Sequence, residues 1–257
     1  MPLVSPFLLS SLADLIFPNH CLGCAHPGPV LCLSCRPQGG LLQVATPGVR
    51  CIAAAPYEGP LRRALLHYKE RGRHDAAPVL GELLARSVQA TAGGTPGGLD
   101  RVLLVPVPSA RGARRRRGGD HMARLAEIAA ERLAAAGAGL RPVPVLDLLS
   151  LSRPVRDAAG LSRDERAENL AGAMTVDSRA SLEAGGFGDA DRVILVDDIV
   201  TTGATVTEAV RALRGGGWPV LAAATVAATR RKAGIDREIP ARSESRNATH
   251  VSREQTP

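Results

Sequence analysis

Val193, Ile194, Leu195 and Val196 are four consecutive β-favouring apolar residues, and two carboxylates, Asp197 and Asp198, follow without a break. An apolar run with no polar alternation is buried on both faces, the situation of a strand in a parallel sheet covered by helices. This stretch therefore commits the chain to an α/β fold. The acidic pair is expected where the strand ends. Thr201, Thr202, Gly203, Ala204 and Thr205 come next, small, hydroxylated and flexible. Val206, Ala209, Val210 and Leu213 then recur at helical spacing until Gly215, Gly216 and Gly217 stop the helix. The order is strand, acidic pair, small polar loop, helix.

That order has a chemical meaning. A loop that opens a helix presents unpaired backbone N–H groups and the positive end of the helix dipole, which together favour a phosphate. Gly203 lets the backbone approach closely, and the threonine hydroxyls add donors. Asp197 and Asp198 repel a phosphate; they suit ribose hydroxyls or a Mg²⁺ held partly through water. A phosphorylated sugar satisfies both halves. VILVDDIVTTGAT, residues 193–205, resembles the phosphoribosyl pyrophosphate (PRPP) motif of type I phosphoribosyltransferases: hydrophobic run, two acids, Thr/Gly-rich 5′-phosphate loop. The alternative is an ordinary βα turn with a stray acid pair. A Walker-type P-loop is excluded, since no Gly-Lys-Ser/Thr follows.

The chain has 257 residues, and a hydrophobic fraction of 45% is enough for a core in one large or two modest domains. Aromatics make up only 2%, so the core is expected to be Val, Leu and Ala packed through small residues. A net charge of +7 favours polyanionic ligands, whether a pyrophosphate ester, nucleic acid or an anionic membrane face. Residues 1–17 resemble a signal peptide only superficially. They lack a basic n-region and an A-x-A cleavage site, Ser10, Ser11 and Asp14 interrupt the apolar run, and the segment is too short to span a bilayer. The expectation is a short amphipathic helix packed on the body of a cytoplasmic protein with no membrane span.

Cys21-x-x-Cys24 and Cys32-x-x-Cys35, seven residues apart, form two knuckles suited to tetrahedral Zn²⁺. Two disulfides or an Fe–S cluster are the alternatives, and a reducing compartment disfavours the disulfides. Four Cys ligands leave no open position, so the zinc would be structural. The module would span residues 18–48, too few to bury a core without metal. His20 and His26 read as solvated loop histidines, and Cys51 as a small buried residue.

From residue 49 to 230 the chain reads as the main domain. Cys51–Ala55 is a strand, Leu61–Tyr68 a helix, Val79–Ala90 another helix, and residues 91–98 a flexible connection. Lys69, with Arg71 and Gly72, is either a solvated basic turn or a cation for pyrophosphate. Arg101–Pro108 is a second buried strand ending in a Pro-flanked turn. Arg111, Arg114, Arg115, Arg116 and Arg117 follow among glycines. Such a loop offers planar donors to phosphate oxygens and a lid over a ligand; the alternative is a solvated or nonspecific nucleic-acid patch. Asp120 can cap a helix whose inner stripe is Met122, Leu125, Ile128, Ala129 and Leu133. Val143–Leu149 is expected as a third strand, residues 151–174 as an amphipathic surface segment, Val220–Ala228 as the last strand, and 231–257 as a disordered tail.

Together these blocks resemble the ComF family of phosphoribosyltransferase-like proteins associated with competence for DNA uptake. The resemblance rests on IFPNHCLGC with the second Cys pair, YEGPLRRALLHYKERG, VPVPSARGARRRRGGDHMARLA, GLSRDERAENLAGAM and VILVDDIVTTGAT. It implies a type I phosphoribosyltransferase-like parallel sheet flanked by helices, with a small N-terminal Cys₄ zinc-ribbon-like module. Asp197 and Asp198 would meet the ribose and Mg²⁺, and Thr201–Thr205 the 5′-phosphate. The turn Val107, Pro108 and Ser109, with Arg111 and Arg117, would form the pyrophosphate side. The family's Arg-Gly-Phe-Asn-Gln run is Arg117-Gly118-Gly119-Asp120-His121 here, and a family Gln is Ala159; both changes remove side chains of a kind that touch ligands. Three functions are consistent with this: binding of PRPP with transfer of its phosphoribosyl group, a nonenzymatic DNA-uptake adapter that binds single-stranded DNA and a competence helicase, or a PRPP-sensing regulator that shares the site without turnover. Aromatic poverty weighs against the second, because single-strand binding uses stacking platforms.

Overall fold

The computed structural model describes residues 20–93, 98–109, 112, 119–136, 142–155, 162–177, 192–230 and 235–239. The expected N-terminal helix over 1–17 and the arginines 111 and 114–117 lie outside these residues, as does Ala159. Chain order is β1 (Leu41–Val44), β2 (Arg50–Pro56), α1 (Gly59–Glu70), α2 (Ala77–Ala92), β3 (Val102–Pro106), α3 (His121–Ala136), β4 (Leu149–Leu151), α4 (Arg163–Leu170), β5 (Met174–Val176), β6 (Arg192–Val200), α5 (Ala204–Gly215), β7 (Val220–Ala228) and β8 (Ile235–Ile239).

Six strands form one sheet in the order β3-β6-β7-β2-β1-β8. The pairings β3–β6, β6–β7 and β7–β2 are parallel, whereas β1 pairs antiparallel with both β2 and β8. The continuous apolar run of β6 thus lies at the interior of the parallel part, between β3 and β7, with Val193 to Val196 fully buried. Both faces are covered. Leu65, Leu80, Leu84, Leu104, Met122, Leu125, Ile194 and Val226 pack on the side of α1, α2 and α3, while Leu103, Val105, Leu195, Val206, Val210, Leu213 and Met174 pack on the side of α5 and the β4–β5 hairpin. Small residues let the layers approach: a Cβ added to Gly81 of α2 would fall inside the Ile128 side chain of α3, and β7 is largely alanine.

Several expectations are corrected. Val143–Leu149 does not form a full strand. Pro142 and Pro144 lack N–H donors, so the segment meets the β3 edge only through an isolated parallel bridge, with the Leu104 N–H donating to the Pro144 carbonyl and the Leu146 N–H to the Leu104 carbonyl. Leu149–Leu151 instead pairs with Met174–Val176, giving the expected surface segment a hairpin with α4 between its strands. The tail is not wholly irregular, since Ile235–Ile239 is a strand on β1. Its sequence, IDREI, is too polar to stand out as a hydrophobic run. β1 lies within the stretch assigned to the metal module yet belongs to the main sheet. Finally, α2 extends through Thr91 and Ala92 into the connection that begins at 91, and β6 does not stop at the acids but continues through them to Val200. Among the described residues no helix is long and apolar enough to cross a membrane.

Candidate functional site

Because β6 continues through its acidic pair, the two carboxylates are held by sheet geometry instead of by a loop. Successive strand residues point to opposite faces, and Asp198 shares the α1/α3 face with Ile194 and Val196. Asp197 is 8% exposed and Asp198 4%. Two nitrogens converge on Oδ2 of Asp198: Lys69 Nζ from the last turn of α1 at 2.8 Å and His121 Nε2 from the first turn of α3 at 3.1 Å. Asp197 Oδ1 accepts the backbone N–H of Asp198 at 2.8 Å.

These surroundings separate the two acids. Burial raises the Asp197 carboxyl well above the carboxylate range, the adjacent Asp198 charge raises it further, and Lys69 only partly offsets both. Burial acts on Asp198 in the same direction, but the Lys69 ammonium and the His121 hydrogen bond overcome it and hold that carboxyl well below its ordinary value. At neutral pH the ligand-free pair therefore concentrates its charge on Asp198.

The facing wall is the turn after β3. Ser109 Oγ lies 3.0 Å from His121 Nδ1 and donates to Asp120 Oδ1 at 3.2 Å. Asp120 caps α3 as its position suggests, accepting the Met122 N–H at 3.0 Å. Tyr68 supports this corner from α1, donating its hydroxyl to the His121 carbonyl at 3.0 Å and setting its ring edge-on to the imidazole at 6.2 Å.

Below the acids the chain turns into α5 through Gly203, whose φ is 80° and whose missing side chain leaves room for Thr46. A residue with a Cβ would be strained in this left-handed conformation. Thr201 and Thr205 face the same space as the acids. Thr202 and Ala204 instead line a separate groove with Pro47, Asp164 and Thr207, and the Thr202 hydroxyl accepts the Ala204 N–H at 3.4 Å.

Lys69, Val107, Pro108, Ser109, Asp197, Asp198, Thr201 and Thr205 thus line one cavity of about 350 Å³. Of the residues singled out in sequence, Arg111 and Arg117 lie outside the described set. His121 and Met122 also line this cavity and were not identified from sequence. The available signal for His121 was positional: a residue at the first turn of a helix that follows the end of a buried strand sits at the strand's carboxyl end.

A second constellation lies across α1. Cys21, Cys24, Cys32 and Cys35 place their sulfurs within 4.8 Å of one another. Four sulfurs about 2.3 Å from a common tetrahedral zinc stand about 3.8 Å apart, and Cys24 and Cys32 are separated by 3.8 Å. The N–H groups of Gly23 and Cys32 donate to Cys21 Sγ at 3.3 and 3.4 Å. Burial opposes ionisation of Cys21, but these donors and a further one from Cys24 lower its thiol, while burial and the neighbouring cysteines raise the thiol of Cys35, so the metal-free cluster concentrates its charge on Cys21. The donor set could hold a metal such as zinc. Arg63 of α1 secures the first knuckle, donating to the carbonyls of Leu22 and Gly23 at 2.7 and 2.6 Å.

No curated protein matches the chain. Among solved structures, the orotate phosphoribosyltransferase from Aeropyrum pernix is similar over 74% of this chain and 88% of its own, at 18% identity and a TM-score of 0.32. The family model of the phosphoribosyl transferase domain matches residues 158–255, a range that contains the acidic pair, the threonine loop and α5. With its helices on both faces of a mostly parallel sheet and that match across its acidic strand, the chain has an α/β fold of the phosphoribosyltransferase type.

Proposed function

We propose that this chain is a ComF-like protein whose cavity binds PRPP, or a related phosphoribosyl nucleotide, together with Mg²⁺, and transfers the phosphoribosyl group with release of pyrophosphate. The observation that carries the reading is the meeting of a buried acid pair, a threonine loop at a helix N-terminus, and the Lys69 and Ser109 side chains in one cavity. Each part suits one part of such a ligand. The N-terminus of α5 with Thr201 and Thr205 offers donors to the 5′-phosphate. Asp197 and Asp198 accept the ribose hydroxyls. Lys69 and the Val107–Ser109 turn face the pyrophosphate.

The buried carboxylate oxygens are hard donors and fit Mg²⁺; when bound, the ion would offset charge on the departing pyrophosphate. In the transfer the bond between the anomeric carbon and the pyrophosphate oxygen breaks, its electron pair leaving with pyrophosphate, and a bond to the incoming nucleophile forms. This chain's residues fix the sugar and its two charged ends so that the nucleophile meets one reactive carbon. The Cys₄ cluster would hold structural zinc.

Calorimetric titration of the zinc-loaded protein with PRPP, with and without Mg²⁺, tests the reading. Metal-dependent saturable binding is the expected result, and the absence of heat at millimolar PRPP would overturn it. The DNA-adapter alternative rests on Arg114–Arg117, outside the described residues; salt-sensitive binding of single-stranded DNA without PRPP binding would favour it.

A further inference from the structure

The two nitrogens on Asp198 Oδ2 are held in very different ways. The His121 side chain is 9% exposed. One ring nitrogen lies against Asp198 and the other 3.0 Å from Ser109 Oγ, while Tyr68 packs edge-on to the ring and binds the residue's carbonyl. The preceding residue, Asp120, is itself tied to Ser109 and to the first turn of α3. Lys69, by contrast, reaches Asp198 from the end of α1 on a four-carbon stem, with its side chain 34% exposed.

If the cavity takes a phosphoribosyl ligand, that ligand brings oxygens competing for the same nitrogens and hydroxyls competing for the same carboxylate. The buried, doubly anchored partner stays, and the half-buried one on its longer stem moves. We infer that His121 is a positioning residue that holds the Asp198 carboxylate and the Ser109 turn at a fixed separation, while Lys69 exchanges Asp198 for the ligand's pyrophosphate. The inference rests on the PRPP reading and adds to it a resident bridge between the ribose and pyrophosphate walls. It also changes the meaning of the Gly119-Asp120-His121 departure, which supplies new contacts in the cavity.

The two ring nitrogens can be tested separately, because an amide side chain can replace either one. His121→Gln places its amide nitrogen near the position of Nε2, keeping the Asp198 contact and losing Ser109. His121→Asn places it near Nδ1, keeping Ser109 and losing Asp198. Each variant is titrated in the presence of Mg²⁺ with PRPP, ribose 5-phosphate and pyrophosphate. His121→Asn should weaken PRPP and ribose 5-phosphate about tenfold and spare pyrophosphate; His121→Gln should weaken PRPP and pyrophosphate and spare ribose 5-phosphate. Equal losses for all three ligands, as a purely structural role would give, or no loss for any, would overturn the assignment. Lys69→Met supplies a second readout if the histidine variants fold poorly: PRPP and pyrophosphate should weaken while ribose 5-phosphate does not, and an equal loss for ribose 5-phosphate would refute the exchange. Failure of the wild-type protein to bind PRPP would reject the underlying reading, whereas wild-type binding with unaltered variants would reject only the role of His121.

Discussion

Asp198→Asn is expected to weaken the proposed Mg²⁺-dependent binding of PRPP about a hundredfold or more, because it removes a buried charge and leaves Lys69 and His121 facing a neutral amide. Calorimetry reads this directly, and an unchanged dissociation constant would mean that the acid pair is not the ligand site. Asp197→Asn should also abolish binding, but its effect on folding has the opposite sign to the usual loss of a buried charge. The Asp197 carboxyl is raised in the folded protein by burial and by its neighbour. A raised carboxyl contributes stability when protonated, and that contribution is lost as pH rises from the unfolded value near 3.9 through the higher folded value. An asparagine, permanently neutral, escapes this loss. The ligand-free Asp197→Asn protein should therefore melt above wild type at neutral pH, with the difference vanishing below about pH 4. A lower melting temperature at neutral pH would contradict the account. Conflict between stability and ligand binding is expected where a site stores charge for a ligand.

The second large effect is expected on removing metal from the Cys₄ cluster. Purified protein should contain about one zinc per chain, and stripping it with a chelator should lower the melting temperature by on the order of 10 °C. The effect reaches beyond the knuckles, because Val30 and Leu31 are buried in the same apolar cluster as Leu61, Leu65, Leu80 and Leu84. Without the metal, four thiols pack within 4.8 Å of one another, held by backbone hydrogen bonds within the knuckles and by Arg63 but with no bond joining the sulfurs. Cys32→Ser should reproduce the loss, whereas Cys51→Ser, outside the cluster, should leave metal content unchanged. A metal-free protein with an unaltered melting curve would refute the assignment.

The parallel sheet was legible because β6 and β7 announce themselves: one is an uninterrupted apolar run, and the other a run of small apolar residues bounded by Gly215–Gly217 and the end of the main domain. Most of the cavity was legible for a related reason, since the acid pair and the threonine loop are contiguous in sequence. Where contacts are distant in sequence, local pattern was insufficient. Nothing near His121 says that Asp198, 77 positions later, will be its partner, and only the β3–β6 pairing brings α3 against the acids. The segment Val143–Leu149 has strand-like hydrophobicity, while its prolines forbid a full ladder. Ile235–Ile239 carries no such signal, because it joins a sheet edge through backbone pairing to β1, which requires no apolar run.

Helix α1 is grasped at two points: Arg63 binds the carbonyls of the first cysteine knuckle, and Lys69, six residues or about 9 Å further along, binds Asp198. The first contact lies mid-helix and the second in the last turn. The cysteine module and the acid pair thus share one helix, and removing the module is expected to loosen the position of Lys69 as well as the packing of α1.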